Sequence, residues 1–231
     1  MCGIGGLIDY GRGARVWSDV GRRMARALTP RGPDTGGQYL DDSALLVHRR
    51  LIVVDPTGGA QPMESPDGNI ILIYNGELYN TEDLRVLLLA KGHTFRGHSD
   101  TEVLLHAYLE WGTAAFEKLN GIYAFALWDK ANARLTLCRD RLGVKPLFYS
   151  RQRDGIVFGS EIKAVLCHPE IRPRVGADGL RSVLLLGPAR PPGFGVFEGI
   201  DELLPGHYAV LTPEGFHTYP YWTLRAQEHT D

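Results

Sequence analysis

The apolar positions of this chain alternate between two periods, and the change of period divides it into three regions. Gly3 to Asp9 reads as a short buried strand that carries Cys2 at its start, and its glycines Gly3, Gly5 and Gly6 let another backbone or a ligand approach closely. Residues 18–28 follow a helical pattern, with Val20, Met24, Ala27 and Leu28 on one face and Ser18 placed to cap it. Thr29-Pro30 ends that helix, and Arg31-Gly32-Pro33-Asp34 with Gly36-Gly37 makes a shaped loop. Two apolar runs follow, Ala44 to Val47 and Leu51 to Val54, each read as a buried strand, with His48-Arg49-Arg50 between them.

The middle of the chain is helical. A turn-rich loop ending at Asp67-Gly68 leads into the strand Ile70 to Tyr74, which is expected to stop at Asn75-Gly76-Glu77. Thr81 is expected to cap a helix through about Lys91, with Gly92 just past its end. Ser99 with Glu102 three residues on is a capping-box pattern opening the next helix, whose apolar face is Leu104, Leu105, Tyr108 and Leu109. After Gly121 the pattern turns to strands: Ile122 to Trp128, Arg134 to Cys138, Pro146 to Ser150 and Ile156 to Gly159. Short helices at 160–166 and 175–186 come next. Residues 187–206, rich in Gly and Pro, read as an irregular connector, and His207 to Trp222 as a closing hairpin. The domain expectation is therefore a core over 1–186, followed by a connector and hairpin over 187–231. Strands, then helices, then strands, without βαβ alternation, predict an α+β fold and not a doubly wound one.

Composition narrows the function classes. The net charge is −2 over 231 residues, so no general basic field attracts nucleic acid or an acidic membrane. No apolar run reaches the length of a membrane span, and the start lacks the basic-then-apolar pattern of a secretory signal. The three cysteines, Cys2, Cys138 and Cys167, lack C-x-x-C spacing, which argues against structural zinc or a disulfide framework and points to a reducing cytoplasm. Cys138 reads as a small buried hydrophobe, and Cys167 with His168 as a pair at a helix end without function.

Three positions carry chemistry. If Met1 is removed, Cys2 holds both a thiol nucleophile and a free α-amine, a base near neutral pH. Arg50, between apolar runs, either projects into solvent at an edge or faces an anion, because an unpaired buried guanidinium is costly. Asp100 lies in a first helical turn, where an acid is stabilised by the helix dipole whatever else it does. There is no G-x-G-x-x-G after a strand, no P-loop and no H-E-x-x-H.

Six stretches occur in an order that resembles one family: Met1-Cys2-Gly3-Ile4, Arg31-Gly32-Pro33-Asp34, Arg50-Leu51, Asn75-Gly76-Glu77, Ser99-Asp100-Thr101-Glu102, and Arg139-Asp140-Arg141-Leu142-Gly143 with Lys145-Pro146-Leu147-Phe148-Tyr149. The chain is similar, over essentially its whole length, to the glutaminase domain of glutamine-hydrolysing asparagine synthetases, a class II glutamine amidotransferase of the N-terminal-nucleophile type. The resemblance implies a four-layer αββα sandwich of two antiparallel sheets. It implies Cys2 as nucleophile, the Asn75 side chain and Gly76 N–H as oxyanion donors, and glutamine held by Arg50, Leu51, Val53, Glu77 and Asp100, with no metal and no cofactor for this half. Arg31 and Asp34 are expected to shape the loop around Cys2, and Arg139, Asp140 and Arg141 to form a structural ion-pair cluster.

The resemblance departs at Thr29-Pro30, where family members often have a basic residue or histidine before the Arg-Gly-Pro-Asp loop. It further implies a partner domain or subunit, using ATP and Mg, that receives ammonia. Such a domain would begin near Trp222, so the chain is expected to be a truncated piece or a stand-alone subunit, cytoplasmic, with homo-oligomers possible. A degenerate domain kept as a scaffold or regulatory subunit, or an N-terminal-nucleophile hydrolase for another amide, are the competing readings.

Overall fold

The computed structural model describes residues 1–53, 55, 58–187 and 189–226. Among the described residues, twelve strands form two antiparallel sheets of six. The first sheet runs β10 (Asp201–Glu202), β8 (Phe148–Gln152), β9 (Gly155–Gly159), β1 (Gly3–Asp9), β3 (Ala44–Arg50), β2 (Thr35–Leu40). The second runs β12 (Gly215–Pro220), β11 (His207–Thr212), β7 (Arg134–Arg139), β6 (Gly121–Asp129), β5 (Ile70–Leu78), β4 (Met63–Glu64).

Three apolar clusters explain the layering. Ile4, Ile8 and Leu46 from one sheet pack on Ile71, Ile73, Ala126 and Trp128 from the other, which glues the two sheets face to face. The outer side of the first sheet, through Leu7, Leu45 and Val157, is covered by α1 (Ser18–Leu28) and α5 (Ile162–Val165). The outer side of the second, through Leu72, Phe125 and Leu127, is covered by α2 (Thr81–Ala90), α3 (Asp100–Trp111) and α4 (Ala115–Lys118). The result is an α+β sandwich of four layers, as the resemblance implies. Strands apolar on both faces, such as β3 and β6, are so because each sheet is covered on both sides.

A last helix, α6 (Ala177–Leu186), buries only Gly179 and Ser182, and Leu184 and Leu185 stand in solvent. The closing hairpin β11–β12 joins the second sheet through β7.

Several local expectations change. A 3₁₀ turn over Ala14–Trp17 runs straight into α1, so Ser18 is inside the helix and no side chain caps it. Thr81 is the first residue of α2, its hydroxyl donating to the Leu78 carbonyl. Ser99 does accept from the Glu102 N–H, but the Glu102 carboxylate takes the N–H groups of Arg96 and Gly97 in place of closing a reciprocal box. Only the first of the two apolar runs is a strand. Leu51–Val53 is loop, Val53 is 74% exposed, and Val54 lies outside the described residues. Finally, β5 does not stop at Asn75 but continues to Leu78, paired with β6 throughout. Gly76 permits this, because a Cβ there would sit 2.5 Å from the Ile122 carbonyl oxygen.

Candidate active site

Cys2 precedes β1, and one step along the register that pairs Gly3 with Arg49 it stands across from Arg50. The first residues of β1 are pinned by Ser160, whose hydroxyl accepts the Ile4 N–H at 3.0 Å while its N–H donates to the Ile4 carbonyl at 2.8 Å. Arg31 reaches back from the loop after α1 and donates to the Cys2 carbonyl at 2.9 Å; its guanidinium also meets Glu161 at 3.3 Å. Thr29 and Pro30 shape that return: Thr29 N–H bonds the Arg26 carbonyl and Arg31 N–H the Leu28 carbonyl, a tight turn off the helix end. The Asp34 carboxylate holds the Ile52 N–H at 2.8 Å. Both residues shape the loops beside Cys2, as expected.

All eight sequence-predicted site residues, Cys2, Arg50, Leu51, Val53, Asn75, Gly76, Glu77 and Asp100, line one cavity of about 160 Å³. Two roomier clefts, of about 560 and 740 Å³, contain no cysteine. The Cys2 thiol points to the Leu51 carbonyl at 3.7 Å. Arg50 is buried, and its guanidinium donates to the Asp55 carbonyl at 2.7 Å, so the loop after β3 folds back to orient it. Of the two readings left open for Arg50, the solvent-facing edge is excluded. Glu77 sits at the rim, where burial and then the neighbouring Asp100 carboxylate raise its pKa, with Lys145 opposing.

Asp100 is more than a helix-start acid. Its Oδ2 accepts from the Tyr74 hydroxyl at 2.7 Å and from the Leu78 N–H at 3.2 Å. That places the carboxylate on the edge of β5, beside Asn75 and Gly76. Burial, followed by Asp100, pushes the Tyr74 hydroxyl pKa well up, so it stays a donor.

The backbone of β5 explains what Gly76 offers. Gly76 pairs with Tyr123 on β6, but the Tyr123 N–H goes to the Asp140 carboxylate and its carbonyl accepts the Asp140 N–H. By the alternation of an antiparallel ladder, Gly76 then turns its N–H away from β6, as do Leu72, Tyr74 and Leu78. On that side β4 pairs only with Ile71 and Leu72. Beyond it the Tyr74 N–H is taken by the Gln61 side chain at 2.6 Å and the Leu78 N–H by Asp100. The Gly76 N–H lies between them on the same edge, past the point where β4 pairs. Asn75 is 1% exposed, and its Nδ2 is buried with no partner among the described residues. Asn75, Gly76 and Cys2 line the same cavity, and a buried unpaired amide is costly unless something fills the place.

Sequence reasoning missed Gln61, Tyr74, Thr101 and Lys145, all of which line the cavity. Lys145 was legible only as part of a motif; it is buried, and burial with the nearby Arg31 lowers its pKa while Asp140, Cys2 and Glu77 act in the other sense. Gln61 lies in a turn-rich loop whose pattern gives no reason to single it out. The expected ion-pair cluster at 139–141 is not one. Arg139 pairs with Glu202 at 3.1 Å and donates to the carbonyls of Lys145, Leu203 and Gly143. Asp140 instead accepts the N–H groups of Tyr123, Leu142, Val144 and Lys145, a charge spent on folding the loop that delivers Lys145.

Comparison with known proteins shows the family. The glutamine amidotransferase domain family matches residues 1–222. The chain is 46% identical to asparagine synthetase [glutamine-hydrolyzing] 3 of Bacillus subtilis over 100% of its length, and 34% identical to asparagine synthetase [glutamine-hydrolyzing] 2 of the same organism over 97%. It spans only 38% and 31% of those two relatives. Its fold is similar to a B. subtilis glutamine phosphoribosylpyrophosphate amidotransferase, with a TM-score of 0.68 at 18% identity, covering 96% of this chain and 50% of that one. The chain belongs to the class II glutamine amidotransferase domains, in an asparagine synthetase-like branch. Among the described residues no helix is long and apolar enough to cross a membrane, and no group of three or more His, Cys, Asp or Glu side chains is placed to hold a metal.

Proposed function

We propose that this domain hydrolyses glutamine to glutamate and ammonia, with Cys2 as nucleophile once Met1 has been removed. The observation that carries the reading is one cavity lined by Cys2, Arg50, Asp100, Asn75, whose Nδ2 is buried with no partner among the described residues, and Gly76, whose N–H turns away from β6. The substrate α-carboxylate meets the Arg50 fork and its α-ammonium meets Asp100 and Glu77, with Leu51 and Val53 closing the side of the pocket. The side-chain amide then lies toward Cys2.

The thiolate attacks the amide carbon, and the developing oxyanion is received by Asn75 Nδ2 and Gly76 N–H. The Cys2 α-amine takes the thiol proton and returns it to the departing nitrogen, so ammonia leaves and a γ-glutamyl thioester remains. Water adds to the thioester through the same two donors, and glutamate departs with the thiol restored. We further propose that the ammonia goes to an ATP-dependent amidation of a carboxylate, aspartate by default, in a synthetase domain or subunit. The names of the relatives and the fraction of them that this chain spans support that division of labour.

The test is N-terminal mass together with glutamate release. Protein beginning at Cys2 should release glutamate from glutamine, and Cys2→Ala should abolish it. A retained Met1 in active protein, or equal rates in both forms, overturns the mechanism, and no release from protein beginning at Cys2 favours a scaffold.

A further inference from the structure

We propose that Gln61 is a positioning residue for the Gly76 N–H, holding the uncovered edge of β5 open at one amide. This rests on the reading above, in which that N–H receives the oxyanion. The register of β4 against β5, Met63 opposite Leu72, would place residue 61 opposite Tyr74 and residue 59 opposite Gly76 if the strand simply continued. A continuing strand would then cover both amides, because a ladder bonds every second residue. Here the backbone joins β5 only at Met63, and the residues before it lie away from that edge. The Gln61 carbonyl packs against Gly37 of β2, where a Cβ would collide with it. Only the Gln61 side chain returns, and its Oε1 accepts the Tyr74 N–H at 2.6 Å. A side chain can satisfy one amide without covering the next, which a strand cannot.

The same side chain ties this edge to the first turn of α3. Gln61 Nε2 donates to the Thr101 hydroxyl at 3.2 Å, and Thr101 is buried. Its neighbour Asp100 holds Leu78 N–H and the Tyr74 hydroxyl. The first turn of α3 therefore fixes β5 on both sides of Gly76, through Gln61 at Tyr74 and directly at Leu78. Recognition of the substrate ammonium at Asp100 and placement of the oxyanion donor share one frame. Gln61 touches no reacting atom and acts through the strand.

The experiment compares wild type, Gln61→Ala, Gln61→Glu and Thr101→Val, each carrying a mature Cys2. It reads kcat and KM for glutamate release and the rate at which iodoacetamide alkylates Cys2, a reaction that needs the thiolate but no oxyanion donor. Gln61→Ala should lower kcat about 10- to 100-fold with KM and alkylation within about twofold of wild type, somewhat less than outright loss of an oxyanion donor costs. Gln61→Glu keeps the acceptor and should recover most of kcat. Thr101→Val should lower kcat in the same sense by a smaller factor, and it decides the matter if Gln61→Ala does not fold. An unchanged kcat in Gln61→Ala, a loss carried by KM, or alkylation falling in parallel overturns the assignment. Inactive wild type with a free Cys2 would instead sink the functional reading itself.

Discussion

Asn75 sets stability against function, and exchanging it for leucine separates the two. Leucine has the same number of side-chain heavy atoms in the same branched shape, so Asn75→Leu removes the amide without opening a cavity. In the resting protein Nδ2 is buried with no partner among the described residues, and such a donor costs about 1–3 kcal/mol. The exchange should therefore leave the fold equally stable or stabilise it by about 1–2 kcal/mol, a rise in Tm of roughly 2–8 °C for a domain of this size. The same change removes one of two oxyanion donors, and glutamate release should fall about 10²–10³-fold, equivalent to ~2.7–4 kcal/mol of barrier. Urea unfolding and a coupled glutamate assay on the same preparation read both quantities. A variant less stable by more than about 1 kcal/mol would mean that the amide was satisfied in the resting fold. Retained activity would mean that it meets no oxyanion.

His48 makes the fold sensitive to mild acid. Its Nε2–H donates to the Tyr74 carbonyl at 3.1 Å, Nδ1 is buried with no partner among the described residues, and burial holds its pKa down to about 4, with Arg50 and Arg49 adding to the effect and the Tyr74 hydrogen bond opposing it. The unfolded chain binds the extra proton between about pH 6.5 and 4, so stability should fall as pH drops through that window, by about 3 kcal/mol from this residue. His48→Gln keeps a donor but does not titrate, and urea midpoints from pH 7.5 to 4.5 should flatten; equal slopes in both proteins would refute the assignment. Arg50→Lys replaces a fork with a point charge and should raise KM for glutamine about tenfold or more with a smaller change in kcat. An unchanged KM rejects the carboxylate role. Asp140→Ala strips a carboxylate from four backbone amides and should destabilise the fold by more than about 3 kcal/mol, read by thermal unfolding. A loss under about 1 kcal/mol would show that the loop holds itself.

The sequence alone determined the α+β class, the place of most strands and helices, and the ordered motifs whose residues gather in one cavity. These were legible because they rest on local causes. Apolar period separates β6 from α3, Gly and Pro punctuate the loops, and Cys2, Arg50 and Asp100 are residue types that need a reason where they stand. Tertiary structure decided what depends on a distant neighbour. Leu51–Val53 is as apolar as a strand but is loop, because the chain turns back there to carry Asp55 onto Arg50. The apolar pattern of α6 marks a helix and not the side it buries. Asn75-Gly76-Glu77 reads as a turn, since Asn and Gly commonly end strands, yet β6 pairs alongside and keeps all three in the sheet. Which amides of that strand stay uncovered depends on where β4 stops, on a glutamine thirteen residues upstream of Tyr74, and on a carboxylate at the head of α3. No period in the chain records those three facts, because hydrogen bonds across a sheet edge are made between segments brought together only by the packed fold.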